Sequence, residues 1–414
     1  MRPAIGLDFG TTNSVAAMLR PDGTSATLTH PTGEIFRSVL CFWTEARGAS
    51  RHAAGPAAIE AYLEDPLDSR LVMSLKSYLG QRSFRETRIA GRAWSLEELV
   101  ALFLREWLAP FRAELSGARI AVGRPVRFVS AEDGEALGEQ RLRAAFALAG
   151  LPEVEVVLEP AGAGHRFAQG LDHPATVLVA DFGGGTSDFS VLRFDPGPPR
   201  RVVPLGHAGV ALAGDAFDQR IIDRVVCPLL GKGSDYLVMG KPVPVPVAWF
   251  SSFAQWHRLS LMRAPRTLRD IAEVTRTAEQ PDRLRHLLRL IEDEAGYALY
   301  RAVTAAKAAL SREERTTLDF AHAGFVLHAE ITRADFEGWI APDLARMDSG
   351  VTAALAAASL AEAAVDRVFL TGGTSLVPAV RRLFETRFGA AKVVAGGEFV
   401  SVAEGLALIA GEGA

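Results

Sequence analysis

The feature that most constrains this chain is a pattern that occurs twice. Ile5-Gly6-Leu7-Asp8-Phe9-Gly10-Thr11-Thr12 is echoed, 173 residues later, by Leu178-Val179-Ala180-Asp181-Phe182-Gly183-Gly184-Gly185-Thr186. Each copy runs from an apolar stretch through Asp-Phe to Gly and Thr. Each continues into a second strand-like run, at residues 14–19 and 188–194. Strand, glycine turn and strand make a hairpin signature. Two copies so far apart point to a duplicated α/β unit.

The intervening sequence alternates helix and strand signals, which favours α/β architecture with partly parallel sheets. Ser95-Leu96-Glu97-Glu98 is a capping box. It opens an apolar-periodic helix through Leu99, Leu102, Phe103 and Trp107 to Phe111, bent or ended near Pro110. Strands are expected at 120–125 and 154–158, the second closed by Glu159-Pro160, with a helix over 140–148 stopping near Gly150. Pro196-Gly197-Pro198-Pro199 reads as a hairpin tip or surface loop. Lys241-Pro242-Val243-Pro244-Val245-Pro246 reads as an extended polyproline connector. Helical patterns cover 255–311 and the Ala-rich 350–364. Residues 366–371 read as strand, followed by Gly372-Gly373-Thr374-Ser375 and a helix with Pro378 in its first turn.

Composition narrows the function classes. A chain of 414 residues, 49% apolar and 23% charged, is expected to be soluble and globular, with two or three domains. A net charge of −4 leaves no strongly basic footprint for nucleic acid and no polybasic membrane patch. Cys41 and Cys227 lie far apart without neighbouring His, which argues against a disulfide framework, a zinc site or an iron–sulfur cluster. Two free thiols, no signal-peptide-like start and no long apolar run together point to the cytoplasm. Only five of the 45 basic residues are lysines, so a lysine at a motif position carries extra weight.

The hairpins have a physical reason to hold phosphate. Glycine turns expose backbone N–H groups, and threonines add hydroxyl donors. Asp8 beside such a turn is tolerable if hydrated Mg²⁺ stands between it and the anion. The first turn lacks the Gly-Lys-Ser/Thr ending of a Walker loop, and a strand follows it. Three successive glycines at 183–185 cost conformational entropy, which is reasonable where a ligand must approach the backbone. Gly372-Gly373-Thr374, between strand and helix, combines close backbone approach with a helix N-terminus that favours negative charge.

Taken together, these segments resemble the actin-like ATPase superfamily, and more closely the nucleotide-binding domain of the heat-shock protein 70 (DnaK-type) family. The similarity runs over essentially the whole chain. Its segments, in order, are 5–14, 74–80, Gly123-Arg124-Pro125, Gln140-Arg141, 159–163, 179–188, 213–218, 306–311 and 369–378. The Gly-Arg-Pro version is similar to shortened relatives of the YegD type. The resemblance implies duplicated ribonuclease-H-like units forming two lobes around a nucleotide cleft. Lobe I would be 1–173, with 39–114 as its small subdomain and 397–414 returning to it. Lobe II would be 174–396, with 227–309 as its small subdomain.

The resemblance also implies residue roles for ATP or ADP with Mg²⁺. Gly10, Thr11, Thr12 and Asn13 match the first phosphate loop, and Gly183, Gly184, Gly185 and Thr186 the second. Asp8, Asp181 and Asp188 match acidic residues near the metal, mainly through its waters. Lys76 matches a lysine that offsets γ-phosphate charge, and Glu159 a carboxylate that orients or deprotonates the attacking water. Lys76, Glu159, Asp181 and Thr186 form the implied catalytic set. Lys307 and Ser311 match contacts to ribose and base, and Gly372, Gly373 and Thr374 a third nucleotide loop. Pro125 and Arg141 match a relay toward a partner domain.

Departures from the family pattern shape the functional expectation. Thr304 stands where a glutamate usually holds the ribose, and Ala308 and Leu376 where two arginines usually sandwich adenine. Losing both cation–π planes costs roughly 0.5–2 kcal/mol each. No peptide-binding domain is expected within these 414 residues. The expected function is a stand-alone nucleotide switch, a monomer or weak oligomer with slow Mg²⁺-dependent ATP hydrolysis, signalling to an unidentified protein partner. Replacing Lys76 or Asp181 is expected to abolish hydrolysis with little loss of folding. Three alternatives stay open: a nucleotide-binding scaffold without hydrolysis, a filament-forming actin relative, and a small-molecule kinase of the same superfamily.

Overall fold

The computed structural model describes residues 2–45, 48–65, 68–126, 128, 134–169, 173–195, 201–255, 259–395 and 400–412. The chain divides into two compact units, Met1–Ala213 with Leu344–Ala414, and Gly214–Asp343.

The first unit contains two main sheets of the same design. One holds β1 (Ala4–Phe9), β2 (Asn13–Leu19), β3 (Ser25–Thr27), β4 (Arg119–Arg124) and β5 (Val154–Leu158), in the order β5-β4-β1-β2-β3. The other holds β6 (Ala175–Phe182), β7 (Ser187–Asp195), β8 (Arg201–Val210), β9 (Arg367–Thr371) and β10 (Val393–Ala395), in the order β10-β9-β6-β7-β8. In both, the first strand pairs antiparallel with the second and parallel with the fourth. The second pairs antiparallel with the third, and the fourth parallel with the fifth. The echo in the sequence is therefore a duplication of topology. Parallel strands need cover on both faces, and β6 is buried at every position.

Five helices of this unit matter for the site: α1 (Leu96–Leu108), α2 (Gly134–Leu148), α3 (Glu159–Ala168), α4 (Pro378–Phe388) and α5 (Ser401–Glu412). One apolar cluster runs from Ala4 and Ala121 of the first sheet, through Ala163 of α3 and Val402 and Leu406 of α5, to Val177, Val179 and Phe369 of the second. The two helices meet backbone to backbone. A β-carbon on Gly405 would overlap the Gly162 carbonyl, so glycine is required for the approach. On the other side of the first sheet, Phe9 packs on Phe103 of α1 at 5.5 Å between ring centroids, within a cluster that also holds Trp107 and Phe146.

Most local expectations hold. Ser95 caps α1: its hydroxyl accepts from the Glu98 N–H at 3.1 Å, and the Glu98 carboxylate accepts from the Ser95 N–H at 2.8 Å. The helix stops at Leu108, and Pro110 falls in a single 3₁₀ turn, Ala109–Phe111. Glu159-Pro160 closes β5 and also opens α3.

Three expectations need correction or lie elsewhere. The segment at Lys241 is not a polyproline connector. Lys241–Pro244 pairs antiparallel with Asp235–Val238 as a hairpin. Alternate prolines put their missing donors on one edge only and leave the other edge able to pair. The Ala-rich helix ends at Ala357 rather than 364, where Ser359 takes a left-handed conformation (φ 54°) that stops it. Pro196-Gly197-Pro198-Pro199 lies outside the described residues.

In the second unit, residues 259–310 form the four helices Leu259–Met262, Pro265–Thr275, Pro281–Glu292 and Gly296–Leu310. Phe217 and Phe336 meet edge to face at 6.1 Å in that unit. Among the described residues no helix is long and apolar enough to cross a membrane.

Candidate functional site

Asp8 and Asp181 occupy equivalent places, near the C-terminal ends of β1 and β6, each just before its hairpin turn. The first turn is tight: a β-carbon on Gly10 would overlap the Asn13 carbonyl. Ser38 N–H donates to the Thr12 carbonyl at 2.9 Å, and Arg37 donates to Asn13 Oδ1 at 3.0 Å, so the segment 11–13 is braced from outside. In the second turn the Gly183 N–H donates to the Thr186 carbonyl at 2.9 Å. Gly183 is exposed and 184–186 are half-buried, which leaves this glycine edge approachable.

The third glycine segment packs on the second hairpin. Gly372 has φ +84°, and a β-carbon there would overlap the Phe182 carbonyl. A 3₁₀ turn, Gly373–Leu376, separates it from α4, so Gly372 and Gly373 precede the helix by a full turn. Thr374 and Ser375 are buried, and the Ser375 hydroxyl donates to the Gly372 carbonyl at 2.6 Å.

Lys76 comes from a 3₁₀ turn, Leu75–Tyr78, entered through Ser74 in the left-handed region (φ 53°). It is 6% exposed and forms an ion pair with Glu159, itself 8% exposed at the start of α3. Asp181 and Asp188 are buried opposite each other in the β6–β7 register. The Val126 N–H donates to Asp188 Oδ1 at 3.2 Å, which ties the Gly123-Arg124-Pro125 segment to the second hairpin.

The electrostatics follow from four carboxylates around one ammonium. Burial pushes Asp8 up to about 7; Lys76 opposes this and Glu159 adds to it. Burial pushes Asp181 well above the usual carboxylate range, with Glu159, Asp8 and Asp188 adding and Lys76 opposing. Burial works against the charge of Lys76, yet Glu159, Asp8 and Asp181 outweigh it and raise its pKa. Such an excess of carboxylate suits a hard divalent cation. Among the described residues no three acidic, imidazole or thiol groups converge closely enough to ligate a metal directly.

Lys307 and Ser311 belong to the second unit. Lys307 Nζ donates to Asp218 Oδ2 at 2.6 Å and to the Gly214 carbonyl at 3.0 Å, while the Tyr300 hydroxyl donates to the same Asp218 oxygen at 2.8 Å. Ser311 turns back toward the Lys307 carbonyl at 3.5 Å. Ala308 is exposed and Leu376 is 46% exposed.

Sequence reasoning did not anticipate what Arg141 does. It donates to the carbonyls of Gln81 at 3.0 Å and Phe84 at 2.8 Å, and pairs with Glu97 at 3.1 Å. It therefore braces the segment that follows Lys76. Those carbonyls lie about 60 residues from it in sequence, and no local pattern signals the contact.

A family model described as Hsp70 protein matches residues 138–232 and 288–411, just over half of the chain. The chain belongs to the Hsp70 family. Its mixed sheets and helices, with the duplicated strand order, are the actin-like ATPase fold of that family. Among its relatives are the proteins named chaperone protein DnaK from Thermotoga neapolitana, Thermotoga petrophila and Thermotoga maritima. Each is 28% identical over 403 residues, covering 93% of this chain and 55% of the relative. The chain thus spans about half the length of the curated relatives it matches.

Proposed function

We propose that this Hsp70-family chain binds ATP with Mg²⁺ at the paired hairpins, hydrolyses it slowly, and acts as a switch read by a separate protein partner. The observation that carries this reading is the buried Lys76–Glu159 pair beside Asp8 and Asp181. Phosphoryl transfer to water needs charge neutralisation, positioning and a weak base, and little else from the protein.

The residues divide that work. Backbone amides and hydroxyls of 10–13 and 183–186 would hold phosphate oxygens. Lys76 would offset charge on the terminal phosphate, and Glu159 would orient the attacking water and accept its proton. Asp8, Asp181 and Asp188 would hold Mg²⁺ through its waters; when bound, the ion neutralises phosphate charge. Gly372, Gly373 and Thr374, and Lys307 with Ser311, are assigned to the nucleotide on the family resemblance. Ala308 and Leu376 offer no cation to an adenine face, so weak affinity or altered base preference is part of the reading. We further propose a cytoplasmic monomer or weak oligomer whose lobes, 1–173 with 397–414 and 174–396, close on nucleotide.

Calorimetric titration with ATP and ADP, with and without Mg²⁺, followed by a turnover assay on the same sample, tests the proposal. Magnesium-dependent binding with slow turnover is expected. Absence of binding by either nucleotide at millimolar concentration overturns it. Binding without turnover would replace the switch by a nucleotide-binding scaffold.

A further inference from the structure

We infer that Gly123 is a positioning residue: the space left by its missing side chain sets where the Glu159 carboxylate stands relative to Lys76. The inference rests on the hydrolytic reading above for its kinetic consequence, and on packing alone for the rest.

Gly123 lies in the interior of β4, buried, and in register with Val157 of β5. Its backbone is ordinary strand, and it is not among the glycines with positive φ. Conformation therefore does not require glycine here. A glycine inside a buried strand weakens it, and commonly marks a place where something must approach closely.

What approaches is Glu159. A β-carbon at position 123 would stand 2.9 Å from Glu159 Cγ and 3.5 Å from Glu159 Oε1. Oε1 is the oxygen that pairs with Lys76. On another side the same β-carbon would meet Leu406 Cδ1 at 3.3 Å, and Leu406 is fully buried. Cγ is near the root of the side chain, so its displacement carries the carboxylate with it. Any side chain at 123 thus displaces the Glu159 carboxylate from its present place in the pair with Lys76.

The test is a double-mutant cycle read in both stability and turnover. Gly123→Ala is expected to lower the melting temperature and to lower kcat by about 100-fold, the scale of a lost general base, with KM changed by less than about threefold on the ground-state binding argument. In a Glu159→Ala background, where Cγ is gone and only the Leu406 contact remains, Gly123→Ala is expected to lower the melting temperature by less than half as much. If Gly123→Ala fails to fold alone but folds with Glu159→Ala, the inference stands. An equal loss of stability in both backgrounds, or wild-type kcat in Gly123→Ala, overturns it. Failure of the wild type to turn over ATP would sink the hydrolytic reading, while the stability cycle still decides the role of Gly123.

Discussion

Asp181 and Asp188 are direct cross-strand neighbours in the β6–β7 hairpin, and both are buried. Burial, with Glu159, Asp8 and Asp188 adding, holds the Asp181 carboxyl well above the usual carboxylate range, so the pair resists carrying two like charges side by side. Two buried carboxyl groups side by side cost stability, a cost of the kind functional positions commonly carry.

The first prediction follows directly. Asp188→Asn keeps an oxygen to accept from Val126 and removes one charge. It should stabilise the ligand-free protein by up to about 1 kcal/mol, the scale of cross-strand pairs. Scanning calorimetry should show the higher melting temperature. Titration should show Mg²⁺-dependent ATP binding weakened at least about tenfold, the worth of one charge-assisted contact. A lower melting point with intact binding would contradict the assignment.

Lys76 should behave differently from a surface lysine. It is buried and paired with Glu159, so its loss should affect folding as well as hydrolysis, unlike the expectation from sequence. Lys76→Ala should destabilise by about 3 kcal/mol, as when one partner of a buried pair is removed. The double variant Lys76→Met/Glu159→Gln should recover much of that loss while remaining inactive. Urea denaturation of the three proteins measures it, and equal stability of wild type and Lys76→Ala would refute it.

The approach of α3 to α5 gives a prediction independent of catalysis. Gly405→Ala would force a β-carbon into the Gly162 carbonyl. Backbone cannot yield as a side-chain tip can, so the cost should reach about 3 kcal/mol or more. The variant should melt well below wild type or be recovered as aggregate. A melting temperature within a degree or two of wild type, equivalent to about 1 kcal/mol in a unit of this size, would show that the helices do not meet as described.

The pH dependence has a definite sign. Asp8 is raised from 3.8 to about 7 in the folded protein, so the folded form holds the proton more tightly than the unfolded chain. Its contribution to stability is therefore full below about pH 4, falls as pH rises toward 7, and levels off above. Ligand-free wild type should lose more stability between pH 5.5 and 7.5 than Asp8→Asn does. Parallel melting curves for the two proteins would remove Asp8 as the cause.

Several features were legible because they obey short-range rules. Ser95 and Glu98 are three residues apart and cap α1 as their types require. The two Asp-Phe-Gly runs became hairpins because glycine permits the turn and apolar runs pair beside it. The reading of Lys241-Pro242-Val243-Pro244 failed because prolines at alternate positions fit one edge of a strand as well as a polyproline helix. Only pairing with Asp235–Val238 distinguishes the two.

The sequence by itself determined the doubled hairpin, the α/β class and the residue types able to meet a polyphosphate. Tertiary structure alone decided that Lys76 is buried against Glu159, 83 residues away, that Arg141 braces the segment beyond Lys76, and that Gly123 leaves room for Glu159. Turns and caps are settled by forces acting within a few residues. The charge balance of the site depends on which distant groups share one low-dielectric space, and only the packing of the sheets and helices sets that.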